Sequence, residues 1–240
     1  SNDNFIFNMD NARDMVDVRE MVVLQKQRLI GPTTAIEGLY TGPGWYYLLA
    51  IPFVLTSGNP YGSILMEIVL WAIGGYFLLR LASEWGKLSM ILVGIIWVAS
   101  NFIILASQYA FNPNPVIFLT PLLIYLIKRY LEKEELQVGV GMWFLVGLFF
   151  HLEMAAALFI TPAILVAIFL IRRELFREKK FYIGFGALLV TFLPQVLFEL
   201  RHNFIMTHST LNYLSAGSTG AGDPLVRVAL ILNGFYDTLL

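Results

Sequence analysis

Residues Val138–Ile171 read VGVGMWFLVGLFFHLEMAAALFITPAILVAIFLI, a run whose only ionisable side chains are His151 and Glu153. A membrane-spanning helix needs about 20 apolar residues. At 34 residues this run is too long for one crossing, and a polar pair inside lipid is costly unless it is placed at a surface or used. The stretch therefore predicts two short helices, with His151 and Glu153 at the turn between them. That reading makes the chain a membrane helix bundle.

The whole composition agrees. The chain is 58% hydrophobic and 14% charged, with a mean hydropathy of +0.69. Soluble domains run nearer 45–50% apolar and about 25% charged. The absence of cysteine excludes a disulfide scaffold and a Cys-based metal site. Nothing in the chain suggests a nucleic-acid partner, and no phosphate-loop, dinucleotide, Ser-His-Asp or zinc-protease motif is present.

Working outward, Tyr61–Leu79, Leu88–Ser107, the short Pro115–Ile127 and Phe181–Phe198 read as further spans, and Leu225–Leu240 as the start of a last one. Trp45–Leu55 is too short to cross and reads as a re-entrant or interfacial helix, aromatic at its entrance. Ala12–Gln27 reads as an amphipathic helix. Met15, Val18, Met21 and Val22 form one side, while Asp14, Asp17, Glu20 and Lys26 form the other. The expected fold is all-α: a polytopic transmembrane bundle with interfacial helices in an outer loop. Residues 1–59 form that first extracytoplasmic loop, and residues 60–240 form about seven spans. Ser1 in place of Met and the apolar tail suggest a piece lacking its first span and its C-terminal part.

Loop charges set the orientation. Arg80, Lys87, Lys128, Arg129, Lys133, Arg172, Arg173, Arg177, Lys179 and Lys180 make ten of the 16 basic residues, and alternating spans put all of them on one side. That side is read as cytoplasmic. The N-terminal polar segment, the uncharged 108–114 loop, the His151 turn and the 200–224 loop then face outward, in the plasma membrane.

Four groups carry possible chemistry. In Asn8-Met9-Asp10-Asn11-Ala12-Arg13-Asp14, Asp10 is either the N-cap of a helix starting near Asn11, with Arg13 pairing to Asp17, or a general base. Spacing alone leans to the cap. Arg201-His202, just after a span, offers a planar donor fork for a lipid phosphate or simply snorkels to any headgroup. His151 and Glu153 are a polar helix break or a substrate or metal contact. Asn112, in Asn112-Pro113-Asn114-Pro115, is a turn residue or a ligand contact.

The order of these landmarks resembles the glycosyltransferase family 39 type within the GT-C superfamily. Its relatives are the dolichyl-phosphate-mannose protein mannosyltransferases and the lipid A aminoarabinose transferases. The resemblance rests on Asp10-Asn11-Ala12-Arg13-Asp14, Leu29-Ile30-Gly31-Pro32, Gly38-Leu39-Tyr40-Thr41-Gly42-Pro43 with Tyr46-Tyr47, Asn112-Pro113, and Phe198-Glu199-Leu200-Arg201-His202. It implies an inverting transferase that moves a sugar from a polyprenyl-phosphate carrier to a protein, lipid or glycan acceptor outside the cytoplasm. The family's catalytic carboxylate falls on Asp10, with Asp14 as second choice. Arg201 would hold the carrier phosphate, helped by Arg13 and His202, and Tyr40 would contact substrate. Two departures leave the donor sugar and acceptor open. Asp10 is followed by Asn11 where the protein mannosyltransferases carry an Asp-Glu pair, and Tyr40-Thr41-Gly42-Pro43 stands where the aminoarabinose transferases carry Lys-Pro-Pro. No cofactor is implied with certainty, and a divalent cation is possible. A transporter or flippase is the alternative, but it should show repeated halves and mid-membrane charges. A noncatalytic lipid-binding subunit is the third reading.

Overall fold

The computed structural model describes residues 9–34 and 36–215. Within them lie eleven α-helices: α1 Met9–Val23, α2 Gly44–Leu55, α3 Tyr61–Ala82, α4 Lys87–Ala99, α5 Asn101–Ser107, α6 Asn114–Lys133, α7 Leu136–Leu152, α8 Met154–Arg172, α9 Lys179–Thr191, α10 Leu193–Arg201 and α11 Ile205–Ser215. The described residues contain no β-strand, only one isolated bridge between Thr33 and Tyr40. The chain is an all-α bundle. The span expected at Leu225–Leu240 lies outside the described residues, as does Asn8.

The Val138–Ile171 run divides where the polar pair stands. Glu153 alone leaves helical geometry, and its carboxylate accepts from the Ala155 N–H at 3.3 Å as the N-cap of α8. Among the described residues two helices are long and apolar enough to cross a membrane: α3 with its extension to Trp85, and α8 with its extension to Arg177. Two bent pairs raise this to as many as four, α4–α5 at 57° and α9–α10 at 45°. The stretches Leu88–Ser107 and Phe181–Phe198, read as single spans, are therefore each broken. Ser100 caps α5 at the first break, and Pro194, which cannot donate to the helix ladder, follows the second. α6 runs further than the expected Pro115–Ile127, because its last turns continue through Lys128, Arg129 and Lys133 beyond the apolar stretch.

Helix α11 occupies part of what reads in sequence as a loop. Its N-terminus is capped from outside: Glu199 accepts from Met206 N at 2.8 Å and from Thr207 N at 3.0 Å. That cap comes from α10 across a turn with positive φ at Asn203 and Phe204, so no local signal marks it.

The core is built around Trp45, Trp143, Phe118, Phe149 and Tyr130, each fully buried. Small residues let backbones approach, as expected for helices packed without a strong hydrophobic drive between them. A Cβ on Gly74 of α3 would stand 2.1 Å from the Phe118 carbonyl oxygen of α6. Outward-facing Leu88, Ile91, Ile95, Phe159, Phe169 and Leu170 remain exposed, leaving an apolar exterior suited to lipid.

The basic loops meet at one end of the bundle. Lys128 pairs with Glu84, and Glu134 pairs with both Arg172 and Lys180, the latter at 2.7 Å. The loop 108–114, the α7–α8 turn and α1 lie at the other.

Helix α1 starts earlier than expected and is rotated relative to the amphipathic reading. Asn11, Asp14, Val18 and Met21 are its buried face, so Asp14 is not on the wet side. It docks on α2 through polar pairs: Trp45 Nε1 donates to Asp14 at 2.7 Å, and the Tyr46 hydroxyl donates to Asp17 at 2.8 Å. Asp10 lies inside the first turn and is not the N-cap. Arg13 does not pair with Asp17, which Arg28 takes at 2.6 Å. Arg13 instead bridges Asp10 at 3.1 Å and Asp14 at 2.9 Å.

Candidate active site

Residues 31–34 and 36–42 pair back on each other as a narrow hairpin. Gly31 N donates to Thr41 O at 2.8 Å, Thr41 N to Pro32 O at 3.0 Å and Thr34 N to Leu39 O at 3.0 Å. The hairpin runs into α2 at a tight junction. His151 Nδ1 accepts from the Gly44 N–H at 2.9 Å, which places the proton of a neutral ring on Nε2. A Cβ on Gly42 would stand 2.3 Å from His151 Nδ1, so only glycine fits. His151 is thus a buried clamp between α7 and the hairpin exit.

Between α1, this hairpin, the 108–114 loop and the α7–α8 turn lies a cavity of about 410 Å³. Asp10 and Arg13 line it from α1, Thr33 and Thr34 from the hairpin, Asn112 from the loop and Glu153 from the turn. Four residues singled out in sequence, up to 143 positions apart, therefore share one site. Asp10 and Arg13 keep 49% and 40% of their side-chain surface exposed, while Asp14 keeps 3%. Asp14 lies behind the cavity wall. It is held by Arg13 and Trp45, and burial pushes its carboxyl above the usual range despite those bonds.

The 108–114 loop is pinned by side chains. Asn11 of α1 donates to the Ala110 carbonyl. Asn112 donates to Leu152 O at 2.6 Å, satisfying a carbonyl in the last turn of α7. Asn114 donates to Ala106 O at 2.9 Å and Tyr109 O at 3.0 Å.

The remaining sequence candidates sit elsewhere. Tyr40 packs edge-on against Phe198 with ring centroids 6.1 Å apart, and the His202 ring stacks on the same Phe198 at 4.1 Å. Arg201 and His202 are exposed at the end of α10 and are not among the cavity's lining residues. The hairpin separates them from it: Leu39 lines both the cavity and a groove beside Glu199. His151 lines a different, apolar groove of about 480 Å³ with Tyr47, Leu48, Ile51, Phe144 and Leu148. Thr33, Thr34 and Phe111 line the cavity without having been marked in sequence. Threonines in a turn-rich segment carry no distinguishing pattern.

The model of the dolichyl-phosphate-mannose-protein mannosyltransferase family matches residues 41–198. The chain belongs to that family. It is a membrane glycosyltransferase of the GT-C type. The matched segment runs from the end of the hairpin into α10, ending at Phe198. It includes Asn112, His151 and Glu153, while Asp10, Arg13, Asp14 and Arg201 flank it. No curated protein and no solved structure matches the chain.

Asp10 and Glu153 bring two carboxylates to the cavity. Among the described residues no group of three or more His, Cys, Asp or Glu side chains converges as a ligand set for a metal ion.

Proposed function

We propose that the protein transfers a sugar from a polyprenyl-phosphate-linked donor to an extracytoplasmic acceptor with inversion, and that Asp10 is the general base. The observation that carries this reading is the cavity itself. In a member of a glycosyltransferase family, Asp10 and Arg13 open side by side into one pocket at the end of the bundle away from the basic loops. The positive-inside rule favours a cytoplasmic position for those loops, and therefore an outward-facing pocket in the plasma membrane.

In the step proposed, a nucleophilic O–H or N–H group of the acceptor attacks the anomeric carbon. Its proton passes to the Asp10 carboxylate, and the bond from the anomeric carbon to the phosphate oxygen breaks. Polyprenyl phosphate departs with the electron pair. Attack opposite the leaving group gives inversion. Charge grows on the phosphate as the bond breaks, so a positioned guanidinium lowers the barrier. Arg13 supplies that charge beside Asp10 within the cavity, while Arg201, with His202 beside it on the far side of the hairpin, holds the carrier phosphate as the donor approaches. Asp14 holds Arg13 in place through the 2.9 Å ion pair.

The test is transfer from a labelled polyprenyl-phosphate sugar by the intact protein in membranes. Wild type should turn over, Asp10→Asn should lose most activity, and Arg201→Ala should bind donor more weakly. Equal rates in all three overturn the assignment.

A further inference from the structure

Helix α8 ends at Arg172 and turns at once into a short 3-10 segment, Arg173–Arg177. This segment is firmly seated. Its Leu175 is fully buried, its Phe176 ring lies 4.8 Å from that of Phe181, and the Tyr182 hydroxyl donates to Phe176 O at 2.8 Å. The basic side chains around it are not used alike. Arg172 pairs with Glu134 and, at 3.2 Å, with Glu174, while Lys180 pairs with Glu134 at 2.7 Å. Those charges are occupied in holding α8 and α9 to the α6–α7 turn. Arg173 and Arg177 are exposed and enter no ion pair among the described residues.

A groove of about 760 Å³ lies beside the segment, lined by Phe169, Arg173, Glu174, Phe176 and Arg177. Two guanidiniums and two aromatic rings therefore share one groove. Its single carboxylate, Glu174, already faces Arg172, so the groove carries net positive charge. Phe169 also belongs to an exposed stripe of α8 with Val166 and Leu170, on a helix long and apolar enough to cross a membrane. The groove is thus basic at one part and continuous with a lipid-facing surface at another.

That combination selects the occupant. A guanidinium fork pairs with phosphate oxygens, and basic pockets at the ends of spanning helices take anionic headgroups. A free phosphate would gain from the arginines alone. A phospholipid gains from both parts, its phosphate on Arg173 and Arg177 and its acyl chain along Phe169 and the stripe beyond. We propose that this groove binds an anionic phospholipid of the leaflet on the side of the basic loops. It lies at the end of the bundle opposite the Asp10 cavity, so the proposal stands apart from the transferase reading.

The test reconstitutes the protein in phosphatidylcholine vesicles with a minor fraction of phosphatidylglycerol. After extraction in mild detergent, native mass spectrometry counts the retained lipids. Wild type should retain phosphatidylglycerol in preference to phosphatidylcholine. Arg173→Gln with Arg177→Gln should lower that retention about tenfold or more, the order expected for two basic side chains at an anionic surface. Lys87→Gln with Lys133→Gln removes the same charge from the same end, outside the groove, and should retain lipid as wild type does. Phe169→Ser should weaken retention as well. All five positions are exposed, so thermal unfolding should match wild type throughout. Equal losses in the arginine and lysine pairs would mean general attraction to a basic rim and overturn the site, as would equal retention of the two lipids. Full retention by Phe169→Ser, or complete release of lipid by inorganic phosphate, would leave an anion site with no use for an acyl chain and overturn the occupant.

Discussion

Asp14 accepts a hydrogen bond from the indole N–H of Trp45 at 2.7 Å, joining the most polar helix of the structure to an apolar one. The same carboxylate takes Arg13 on its other oxygen at 2.9 Å. It is therefore a hinge between the cavity's guanidinium and the scaffold behind it.

Burial raises the Asp14 carboxyl, against the lowering contributions of Trp45 and Arg13. A carboxyl raised in the folded state binds its proton more readily there than when unfolded, so this group adds stability as pH falls through its folded value and loses it as pH rises. Protonation also weakens the hold on Arg13. Asp14→Asn should therefore flatten the acid side of the stability profile and lower activity at neutral pH. Thermal unfolding and transfer rates between pH 4 and 8 check both. A variant with wild-type activity throughout would remove Arg13 positioning from the account.

Asp10 has a half-exposed side chain and makes its ion pair only with Arg13 among the described contacts. Asp10→Asn should leave the unfolding temperature within about 1 °C, since exposed pairs contribute little. Turnover should fall at least about 100-fold if the carboxylate takes the proton. Loss of activity together with loss of fold would instead mark a structural role.

Gly42 has no room for a methyl group, because His151 Nδ1 would lie 2.3 Å from it. Gly42→Ala should destabilise by about 1–3 kcal/mol through overpacking. The double variant Gly42→Ala, His151→Ala should recover part of that, and a double-mutant cycle in detergent measures the coupling. Strict additivity would contradict the clamp.

Arg201 stands outside the cavity, and its role depends on a phosphate reaching it. A charge-assisted hydrogen bond is worth about 1.5–3 kcal/mol, or roughly ten- to a hundredfold. Arg201→Ala should raise the donor KM by that factor. Arg201→Lys should recover only part, since an ammonium cannot make the bidentate contact. An unchanged donor KM would move the phosphate to Arg13.

Asn112→Ala removes both a cavity wall group and the donor to Leu152 O at 2.6 Å. The cost to stability should be about 1 kcal/mol. Differential scanning of the purified protein would show it, together with a rise in KM.

What could be read from residue order follows from how local each signal is. The break at His151–Glu153 was legible because two polar residues interrupt a long apolar run, and Glu153 performs the capping itself. The bends in α4–α5 and α9–α10 were not recognised, since both stretches remain apolar across Ser100 and Phe192. Helix α11 escaped because its cap, Glu199, belongs to another helix. In the cavity, Asp10, Arg13, Asn112 and Glu153 stood out as polar residues at apolar boundaries.

The bent helices have a consequence for the lipid around them. The thirteen residues of α4 and of α9 each reach only about 20 Å before turning, short of a hydrocarbon core of about 30 Å. Helix α2, with twelve residues, is shorter still. Such elements favour a locally thinned bilayer, which draws lipid headgroups down toward the pocket. Acyl-chain length is then expected to affect turnover. Vesicles of short-chain phospholipids should support faster turnover than thick, sterol-rich ones, with no side chain changed.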